Sequence, residues 1–272
     1  MTIEKWDPRT SFGKNRFKRA LDVFQSLLKH KWMQELMKEG HVKILELCAG
    51  AGLGGVALAK ALESIGIKCE LILTDICGSL LNIAKAWAPH EIRGKVNVFK
   101  LDARNVYSLK DLIDEVDIIL MYGYSTPHIK PRDMLPVLAG SAMILTDNGL
   151  LIIHECDRIW ELITRGFERV SPGTVTENKA LLNLRLGYDP REGTIKVAVV
   201  DIFAKNKPAI MELHYWYLSV LLTLFEIFFK EVDFIPLSGD RPVGFILGRR
   251  PRKTINIEEF CFSRIEHNLG KS

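Results

Sequence analysis

The sequence lacks the features that define several large classes of protein. Its five cysteines form no C-x-x-C pair, which argues against a disulfide framework and a zinc site, so we expect reduced thiols and no metal. Residues 1–31 contain no apolar core region between their basic residues, and a secretory signal is therefore not expected. Together these absences predict a cytoplasmic protein.

Strong charge and long apolar runs are also missing. The net charge of +4 is small for 272 residues and no dense basic stripe with interleaved aromatics occurs, so a nucleic-acid partner is left open but not indicated. The most apolar run, residues 214–229, carries a polar stripe and is too short to span a bilayer. It predicts a core helix and no membrane partner, with a homodimer interface as the alternative.

Glutamine occurs only at Gln25 and Gln34 amid many charged residues, a bias typical of a thermophile.

Residues 42–55 are the most informative part of the chain. The apolar run 42–47 predicts a buried parallel strand, and residues 53–65 continue with helical periodicity. Between them, Gly50 and Gly52 allow a ligand to approach the backbone. A ligand bound there would lie at the N-terminus of a helix.

Two cofactor classes use this arrangement. Gly50, Gly52 and Gly55 satisfy G-x-G-x-x-G, and Asp75 follows at the distance seen in dinucleotide-binding sites. Glu46, at the end of the predicted strand, favours a cationic ligand, because a pyrophosphate would gain nothing from a negative charge there. The glycine pattern alone leaves an NAD-dependent oxidoreductase open.

Strands and helices alternate in the first part of the chain. After the strand at 42–47, short apolar runs predict strands at 69–74, 96–101, 116–121 and 149–154, with helical patterns between most of them. Five such units with short connections predict an α/β domain with a doubly wound, mostly parallel sheet. Ligands of such sheets bind beyond the carboxyl ends of the strands.

Polar residues stand at the predicted carboxyl ends of these strands. In chain order they are Glu46, Asp75, Asp102, Tyr122 and His154. A single aspartate at a strand end is more often a helix cap. Three carboxylates that follow successive strands, at the same edge of the sheet as a glycine loop, indicate a binding site.

The segment from Glu46 to Gly52 resembles the first motif of the class I S-adenosylmethionine-dependent methyltransferases, an acidic residue followed by G-x-G-x-G, with Cys48 at the position of the first glycine. The resemblance continues in register through the fifth predicted strand. It implies an enzyme with S-adenosyl-L-methionine as its cofactor and a Rossmann-like sheet of seven strands. The closing strands are expected at 232–237 and 243–249, and only the last should run antiparallel.

The resemblance also implies a set of cofactor-binding residues. Glu46 would order the ammonium group, Asp75 would accept the ribose hydroxyls, and Asp102 would accept from the adenine amino group. The backbone of the glycine loop would pack on the methionine part, and Ile76 would cover one face of the adenine. The full set implied is Glu46, Cys48, Ala49, Gly50, Gly52, Asp75, Ile76, Asp102, Ala103 and Tyr122.

Three parts of the chain are expected: an N-terminal helical extension over residues 1–40, a methyltransferase domain over 41–249, and a tail over 250–272. The extension contains an amphipathic helix that packs on the domain or, alternatively, caps the active site. The helix after the second strand is expected to end before Pro89.

An antiparallel insertion is predicted at about residues 178–213. Alternating residues at 182–188 and β-branched residues at 194–203 flank a turn, which predicts a hairpin, and 209–213 could add a third strand. The insertion resembles strands that close the pocket in small-molecule methyltransferases such as the glycine and related amine methylases. A small-molecule acceptor is therefore expected, although the hairpin could instead extend the sheet or build a dimer.

The candidate acceptor-binding residues are Tyr124, His128, His154 and Tyr188. Of these, His128 and His154 are the candidate catalytic bases near neutral pH.

Some methyltransferase classes are disfavoured by the sequence and others remain open. The loop at 121–128 lacks the Asn-Pro-Pro-Tyr motif of amino-group methylases of DNA and glutamine, and it has no cysteine to attack a pyrimidine ring. A methyltransferase acting on RNA or protein, or an inactive methyltransferase-like scaffold, are the alternatives to a small-molecule enzyme. A scaffold would not need the complete set of carboxylates at the strand ends.

Overall fold

The computed structural model describes residues 7–176, 179–204, 207–237, 239 and 242–253. Within these ranges the helices are α1 Ser11–Leu27, α2 Lys31–Leu36, α3 Leu53–Ser64, α4 Gly78–Glu91, α5 Pro131–Ile144, α6 Arg158–Arg165 and α7 Leu218–Phe228. The strands are β1 His41–Glu46, β2 Lys68–Asp75, β3 Val96–Lys100, β4 Val116–Met121, β5 Leu145–Cys156, β6 Val170–Thr176, β7 Lys179–Asp189, β8 Thr194–Asp201, β9 Ala209–His214, β10 Phe229–Pro236 and β11 Val243–Pro251.

The main sheet has seven strands in the order β10-β11-β5-β4-β1-β2-β3. β11 pairs antiparallel with both neighbours, and the other pairs are parallel, so the predicted fold class is confirmed. The strand order reverses between β1 and β4, which places the loop after β1 at the position where ligands of such sheets bind.

Helices cover both faces of this sheet, which explains why its central strands are apolar throughout. In β1, Ile44 packs into the core formed with α1 to α4, whereas the next residue, Leu45, packs into the core formed with α5 and α7. Alternate residues of one strand therefore hold two helical layers in place, and the carboxyl end of β1 is fixed between them.

The start of α1 and the end of α4 have identifiable local causes. α1 begins at Ser11 because the Thr10 hydroxyl caps it by accepting a hydrogen bond from the Gly13 N–H at 3.0 Å. The expectation that α4 ends before Pro89 was wrong, since the helix runs to Glu91. Pro89 lies in the last turn, where losing one backbone hydrogen bond does not break a helix that is already packed.

The predicted insertion is a second, antiparallel sheet of four strands in the order β6-β7-β8-β9. Its first strand was not predicted, because Pro172 and Gly173 interrupt the alternating pattern, and the pairing with β7 shifts register there. The helix expected from residue 214 begins at Leu218, since His214 ends β9.

Most of the expected tail over 250–272 lies outside the described residues, which end at Lys253. Among the described residues, no helix combines the length and the apolar character that crossing a lipid bilayer requires.

Candidate active site

The loop after β1 contains three left-handed residues within five positions. Cys48, Gly50 and Gly52 have φ of 54°, 56° and 80°. Glycine adopts this conformation freely, whereas a residue with a Cβ atom is strained by about 1 to 2 kcal/mol. Cys48 therefore carries backbone strain at the position where the motif normally has glycine.

The Cys48 thiol is not an available nucleophile. Burial raises its pKa to about 12, and the negative charges of Asp75, Asp102 and Glu46 act in the same direction. The thiol therefore stays protonated at neutral pH, and the side chain lines the cavity and packs against the core.

Neighbouring elements hold this loop in place. The Trp87 Nε1–H donates to the Ala51 carbonyl oxygen at 2.6 Å, and the Ala49 N–H donates to the Thr74 carbonyl oxygen at 2.9 Å. The Thr74 hydroxyl donates to the carbonyl oxygen of Glu46 at 2.9 Å. The loop is therefore fixed to α4 and β2 by side-chain and backbone hydrogen bonds.

Glu46 is a buried carboxyl group at the end of β1, with 1% of its surface exposed. It accepts a hydrogen bond from the Gly55 N–H at 2.8 Å, but burial outweighs this contact and raises its pKa to about 8. A Cβ atom at Gly54 would lie 2.3 Å from its Oε1 and 2.5 Å from the Tyr122 Cβ. Glycine at position 54 thus lets α3 approach the carboxyl group closely.

Asp75 ends β2 and binds the glycine loop. Its Oδ2 accepts from the Gly50 N–H at 2.7 Å, and its Oδ1 accepts from the Cys77 N–H at 2.7 Å. Each carboxylate oxygen can accept a further hydrogen bond, so the contacts leave capacity for ligand hydroxyls.

Asp102 follows β3 and is paired with Arg104. Its Oδ1 accepts from the Arg104 backbone N–H at 3.0 Å, and its Oδ2 lies 2.5 Å from Arg104 Nη2. The side chains of Asp75 and Asp102 both line one cavity of about 850 Å³, together with Ile76, which is 65% exposed.

The cavity brings together most of the residues predicted from the sequence. The predicted residues that line it are Glu46, Cys48, Ala49, Gly50, Asp75, Ile76, Asp102, Ala103, Tyr122, Tyr124, His128 and His154. Gly52 lies behind the loop, where a Cβ atom would meet Leu73 Cδ1 at 2.7 Å.

The structure does not bring Tyr188 to this cavity. Its side chain is 64% exposed and lines a second cavity of about 700 Å³ between the four-stranded sheet and α5 to α7. None of the described residues of the predicted hairpin, 182–203, lines the first cavity, and the second sheet contributes Glu212 of β9 instead. Sequence alternation identifies a hairpin but not the direction in which it folds over the domain.

His154 is the most unusual polar residue of the cavity. Its exposed fraction is 6%, and neither ring nitrogen has a hydrogen-bond partner among the described residues. The ring packs against Tyr122 at 4.8 Å and 15° between planes, against Tyr124 at 4.5 Å, and against Phe245 at 5.3 Å. An unpartnered, buried polar group that lines a cavity indicates a binding position for a ligand.

Burial lowers the pKa of His154 to about 4, and the positive charge of Arg16 contributes in the same direction. Burial also lowers the pKa of His128, with a contribution from Arg158. Both imidazoles are therefore neutral at pH 7, and His154 is a hydrogen-bonding group rather than an effective base there. Burial raises the pKa of Tyr122 and Tyr124 to about 12, so both phenols keep their protons.

The loop after β4 presents these aromatic rings in a strained conformation. Gly123 and Tyr124 have φ of 91° and 65°. The Trp216 Nε1–H donates to the Thr126 carbonyl oxygen at 3.1 Å, and the Arg158 guanidinium lies 5.5 Å from the centre of the Tyr124 ring. Strain of this kind persists where surrounding contacts determine the loop, and it is concentrated at functional sites.

Helix α1 supplies residues that sequence reasoning did not assign to the site. Phe12, Arg16 and Arg19 line the cavity from one face of this helix. Their spacing of four and three residues predicts that the three side chains share one face of the helix. The spacing does not predict which part of the protein that face contacts. On the opposite side Lys130 lies 2.8 Å from Glu212 and joins the main domain to β9.

Comparisons with known proteins bear on this site. Residues 18–126, from α1 to the loop after β4, match the family model described as lysine methyltransferase. No curated protein matches the chain.

Solved structures share the fold at low sequence identity. The PH0226 protein from Pyrococcus horikoshii superposes with a TM-score of 0.60 at 18% identity, covering 90% of this chain and 94% of its own. An S-adenosylmethionine-dependent methyltransferase from Clostridium acetobutylicum superposes with a TM-score of 0.58 at 11% identity, over 87% and 98% of the two chains. CalS10, an amino pentose methyltransferase from Micromonospora echinaspora, superposes with a TM-score of 0.54 at 15% identity, over 88% and 92%.

The sheet order, the glycine loop and these superpositions define the class I methyltransferase fold. The family match covers residues 18–126, which include the glycine loop and the ends of the next two strands, so the chain is similar to the class I S-adenosylmethionine-dependent methyltransferases in its fold and in its cofactor-binding segment. S-adenosyl-L-methionine is its cofactor, and the residues fit it: a glycine loop open to the cavity, a carboxyl group behind it, and a carboxylate at each of the next two strand ends.

Proposed function

We propose that this chain transfers the methyl group of S-adenosylmethionine to a small acceptor molecule bound in the cavity beside the packed rings of Tyr122, Tyr124 and His154. The observation that carries the proposal is the continuity of the cavity. One volume of about 850 Å³ extends from the glycine loop to the unpartnered His154 ring. A cofactor at the loop and an acceptor at the imidazole would share one enclosed space.

The cofactor-binding assignments follow from the contacts. Asp75 is positioned by two backbone N–H groups and would accept the ribose hydroxyls, and Asp102 with the Ala103 backbone would bind the adenine edge. Ile76 is exposed at the cavity and would cover the adenine face, while Glu46 and the backbone of residues 48–50 would hold the amino acid end beside Tyr122. When bound, the cofactor supplies a methyl group already activated on a sulfonium, so these residues mainly fix geometry and exclude water.

His154 would orient the acceptor. A neutral imidazole can accept a hydrogen bond from an N–H or O–H of the acceptor, and so direct the lone pair of the reacting atom toward the cofactor. The rings of Tyr122, Tyr124 and Phe245 enclose this imidazole and limit access of water.

The dimensions of the cavity support a small acceptor. Its volume is within the range of small-molecule sites, and the cofactor would occupy a large part of it. α1 lines one side through Phe12 and Arg16, and β9 lines the other through Glu212. The similarity in fold to an amino pentose methyltransferase is consistent with this size of acceptor.

A second candidate function is methylation of a lysine side chain in a protein. The family match over residues 18–126 favours it, because that family is described by this activity. The matched residues include the glycine loop and end before α5, so they cover the cofactor-binding half and leave the acceptor open.

The test uses S-adenosylmethionine with a tritiated methyl group. The protein is incubated with a metabolite extract and, separately, with a protein extract, and the label is followed into each. We expect label in small molecules with the unaltered protein and its loss with His154→Phe, which keeps an aromatic ring but removes both nitrogens. The matched control is His90→Phe, at an exposed position on α4 outside the cavity.

Three outcomes are informative. Label in lysine residues of proteins would support the second candidate instead. Full activity of His154→Phe on small molecules would contradict the role of the imidazole. Absence of cofactor binding to the unaltered protein, measured by calorimetry, would overturn the proposal as a whole.

A further inference from the structure

We infer that Arg158, the first residue of α6, is a positioning residue for the acceptor, and that it acts by holding the ring of Tyr124 against the imidazole of His154. This inference rests on the proposed function, which places the acceptor in the cavity beside these rings. Arg158 does not itself line the cavity, so its effect on the acceptor passes through Tyr124.

The ring of Tyr124 contacts both of the other groups. The Arg158 Cζ lies 5.5 Å from the centre of the Tyr124 ring, and that centre lies 4.5 Å from the centre of the His154 imidazole. A guanidinium over an aromatic ring is attracted by the negative charge of the ring face. The wall that Tyr124 forms against His154 therefore depends on Arg158.

The backbone of Tyr124 needs such a contact. Tyr124 has a φ of 65° and follows Gly123, whose φ is 91°. The left-handed conformation is unfavourable for a residue with a Cβ atom, and above all for a bulky one. The side chain of Arg158 is 21% exposed, and a cation–π contact that is largely shielded from water is comparable in size to this cost. Arg158 therefore helps to keep Tyr124 in this conformation.

The local structure of α6 does not account for an arginine at this position. Arg158 is in the first turn of α6, where the helix dipole disfavours a positive charge. The carboxylate of Asp157 caps the helix by accepting hydrogen bonds from the N–H groups of Ile159 and Trp160 at 3.0 and 2.9 Å. The cap is complete without the Arg158 side chain, so the contacts of this cation lie elsewhere.

Two contacts fix Arg158 in place. Its Nε lies 3.6 Å from Oε1 of Glu155, a fully buried residue of β5. Its backbone N–H donates to the Trp216 carbonyl oxygen at 3.3 Å, and the Trp216 indole donates to the carbonyl oxygen of Thr126 in the same loop as Tyr124. Arg158 and this loop are therefore held by connected contacts.

This arrangement matters because of the state of His154. Both of its ring nitrogens are buried and have no hydrogen-bond partner among the described residues. While Tyr124 stays against the imidazole, that ring is shielded from bulk water, and its hydrogen-bonding capacity is kept for the acceptor. Loss of Arg158 should release Tyr124 and open the imidazole to water.

The test measures how accessible His154 is in protein saturated with S-adenosylhomocysteine. Diethyl pyrocarbonate modifies accessible neutral imidazoles, and mass spectrometry of the peptide that contains His154 gives the rate. We expect slow modification of the unaltered protein and modification at least about tenfold faster in Arg158→Leu. Arg158→Lys, which keeps a cation for the Tyr124 ring, should give an intermediate rate.

A matched control removes another arginine that contacts an aromatic ring. Arg185 of β7 lies 5.6 Å from the centre of the Phe167 ring and does not line the cavity. Arg185→Leu should therefore leave the modification rate of His154 unchanged.

A double variant shows whether Arg158 acts through Tyr124. In a Tyr124→Leu background, the further change Arg158→Leu should alter the modification rate by less than about twofold, because the ring that it positions is absent. A general structural role of Arg158 would instead accelerate modification by similar factors in both backgrounds.

The variant Arg158→Leu leaves the buried Glu155 without its counter-ion. Glu155→Leu with Arg158→Leu removes both charges, and an uncompensated buried charge is the main cost of breaking such a pair. This double variant should show the same fast modification of His154, and it decides the question if Arg158→Leu alone does not fold.

Activity provides a second measurement. Arg158→Leu should lower transfer of the tritiated methyl group to small molecules at least about tenfold, while its affinity for S-adenosylhomocysteine in calorimetry changes by less than about twofold. Arg158→Lys should recover part of the transfer, and Arg185→Leu should retain it.

The inference is overturned if His154 is modified equally fast in the unaltered protein and in the variants without Arg158, or if Arg185→Leu has the same effect as Arg158→Leu. Equal effects of Arg158→Leu with and without Tyr124 would also overturn it. Failure of S-adenosylhomocysteine to bind the unaltered protein is a separate result, because it contradicts the proposed function before any variant is compared.

Discussion

The indole of Trp87 donates a hydrogen bond of 2.6 Å to the carbonyl oxygen of Ala51, and this contact joins α4 to the centre of the glycine loop. Trp87 is buried, and its ring also meets Phe17 of α1 edge-on at 5.3 Å between centroids. One side chain thus links the cofactor loop to the helix that carries Arg16. The loop geometry depends on a residue that does not line the cavity.

Trp87→Phe should destabilise the protein and weaken cofactor binding. The substitution leaves the Ala51 carbonyl without this donor and creates a small void, with a cost of about 1 to 3 kcal/mol in the free energy of unfolding. Denaturant titration and calorimetry with S-adenosylhomocysteine check both effects. Trp160→Phe on α6, a partly exposed position, is the control and should leave the affinity unchanged.

Asp75→Ala should weaken S-adenosylmethionine binding more than Asp102→Ala. Asp75 both positions the Gly50 N–H and is expected to contact the ribose, so its loss should cost about 1.5 to 3 kcal/mol of binding free energy. Asp102 is already paired with Arg104. A contact between Asp102 and the ligand would replace part of that ion pair, so it should contribute less to the free energy of binding. Calorimetry on both variants decides the order, and a larger loss for Asp102→Ala would contradict this prediction.

Substitutions at Cys48 should report the strain of the left-handed backbone. Cys48→Val should lower the free energy of unfolding by about 1 to 2 kcal/mol, because a β-branched residue is disfavoured at a φ of 54°. Cys48→Gly should stay within about 1 kcal/mol of the unaltered protein, since the relieved strain offsets the greater entropy of the unfolded chain. Equal stability of the two variants in urea titrations would show that the backbone changes conformation to suit the side chain.

Binding of the cofactor should release a proton from Glu46. Its pKa of about 8 in the free protein means that the carboxyl group is mostly protonated at pH 7, and an ammonium group beside it would favour the ionised form. The affinity for S-adenosylhomocysteine should therefore increase as the pH rises toward 8 and level off above it. Calorimetry in buffers of different ionisation enthalpy measures the released proton.

Two controls isolate this effect. Methylthioadenosine, which lacks the amino acid end, should bind with no such pH dependence, and Glu46→Gln should remove the dependence for S-adenosylhomocysteine. A pH dependence of equal size for both ligands would assign the proton to another group.

The parallel part of the fold was predictable because its signals are local. The bounds of β4 agree with the prediction, and Glu46 and Asp75 are the last residues of β1 and β2. Continuous apolar runs with a polar residue at the end identify buried parallel strands without knowledge of their neighbours. β6 was missed because its proline and glycine belong to a bulged edge strand, which local pattern does not distinguish from a loop.

The acceptor side of the site was less predictable because distant segments build it. Tyr122, Tyr124 and His154 could be placed near strand ends, but Arg16 enters through the packing of α1 and Glu212 through the fold of the second sheet. The orientation of an inserted sheet depends on tertiary contacts such as Lys130 with Glu212, and local pattern therefore could not show that Tyr188 lines a different cavity from the other acceptor-binding candidates.

The position of β11 between β5 and β10 has a consequence for synthesis of the protein. The side chain of Phe245 that packs on His154 comes from the last strand of the sheet, so the ribosome must synthesise the chain through β11 before this wall of the cavity can form. The nascent chain can form the glycine loop and the cofactor end long before then. During translation the cofactor end can therefore form while the edge of β5 that pairs with β11 is still uncovered, and unpaired strand edges of this kind are sites where nascent chains aggregate.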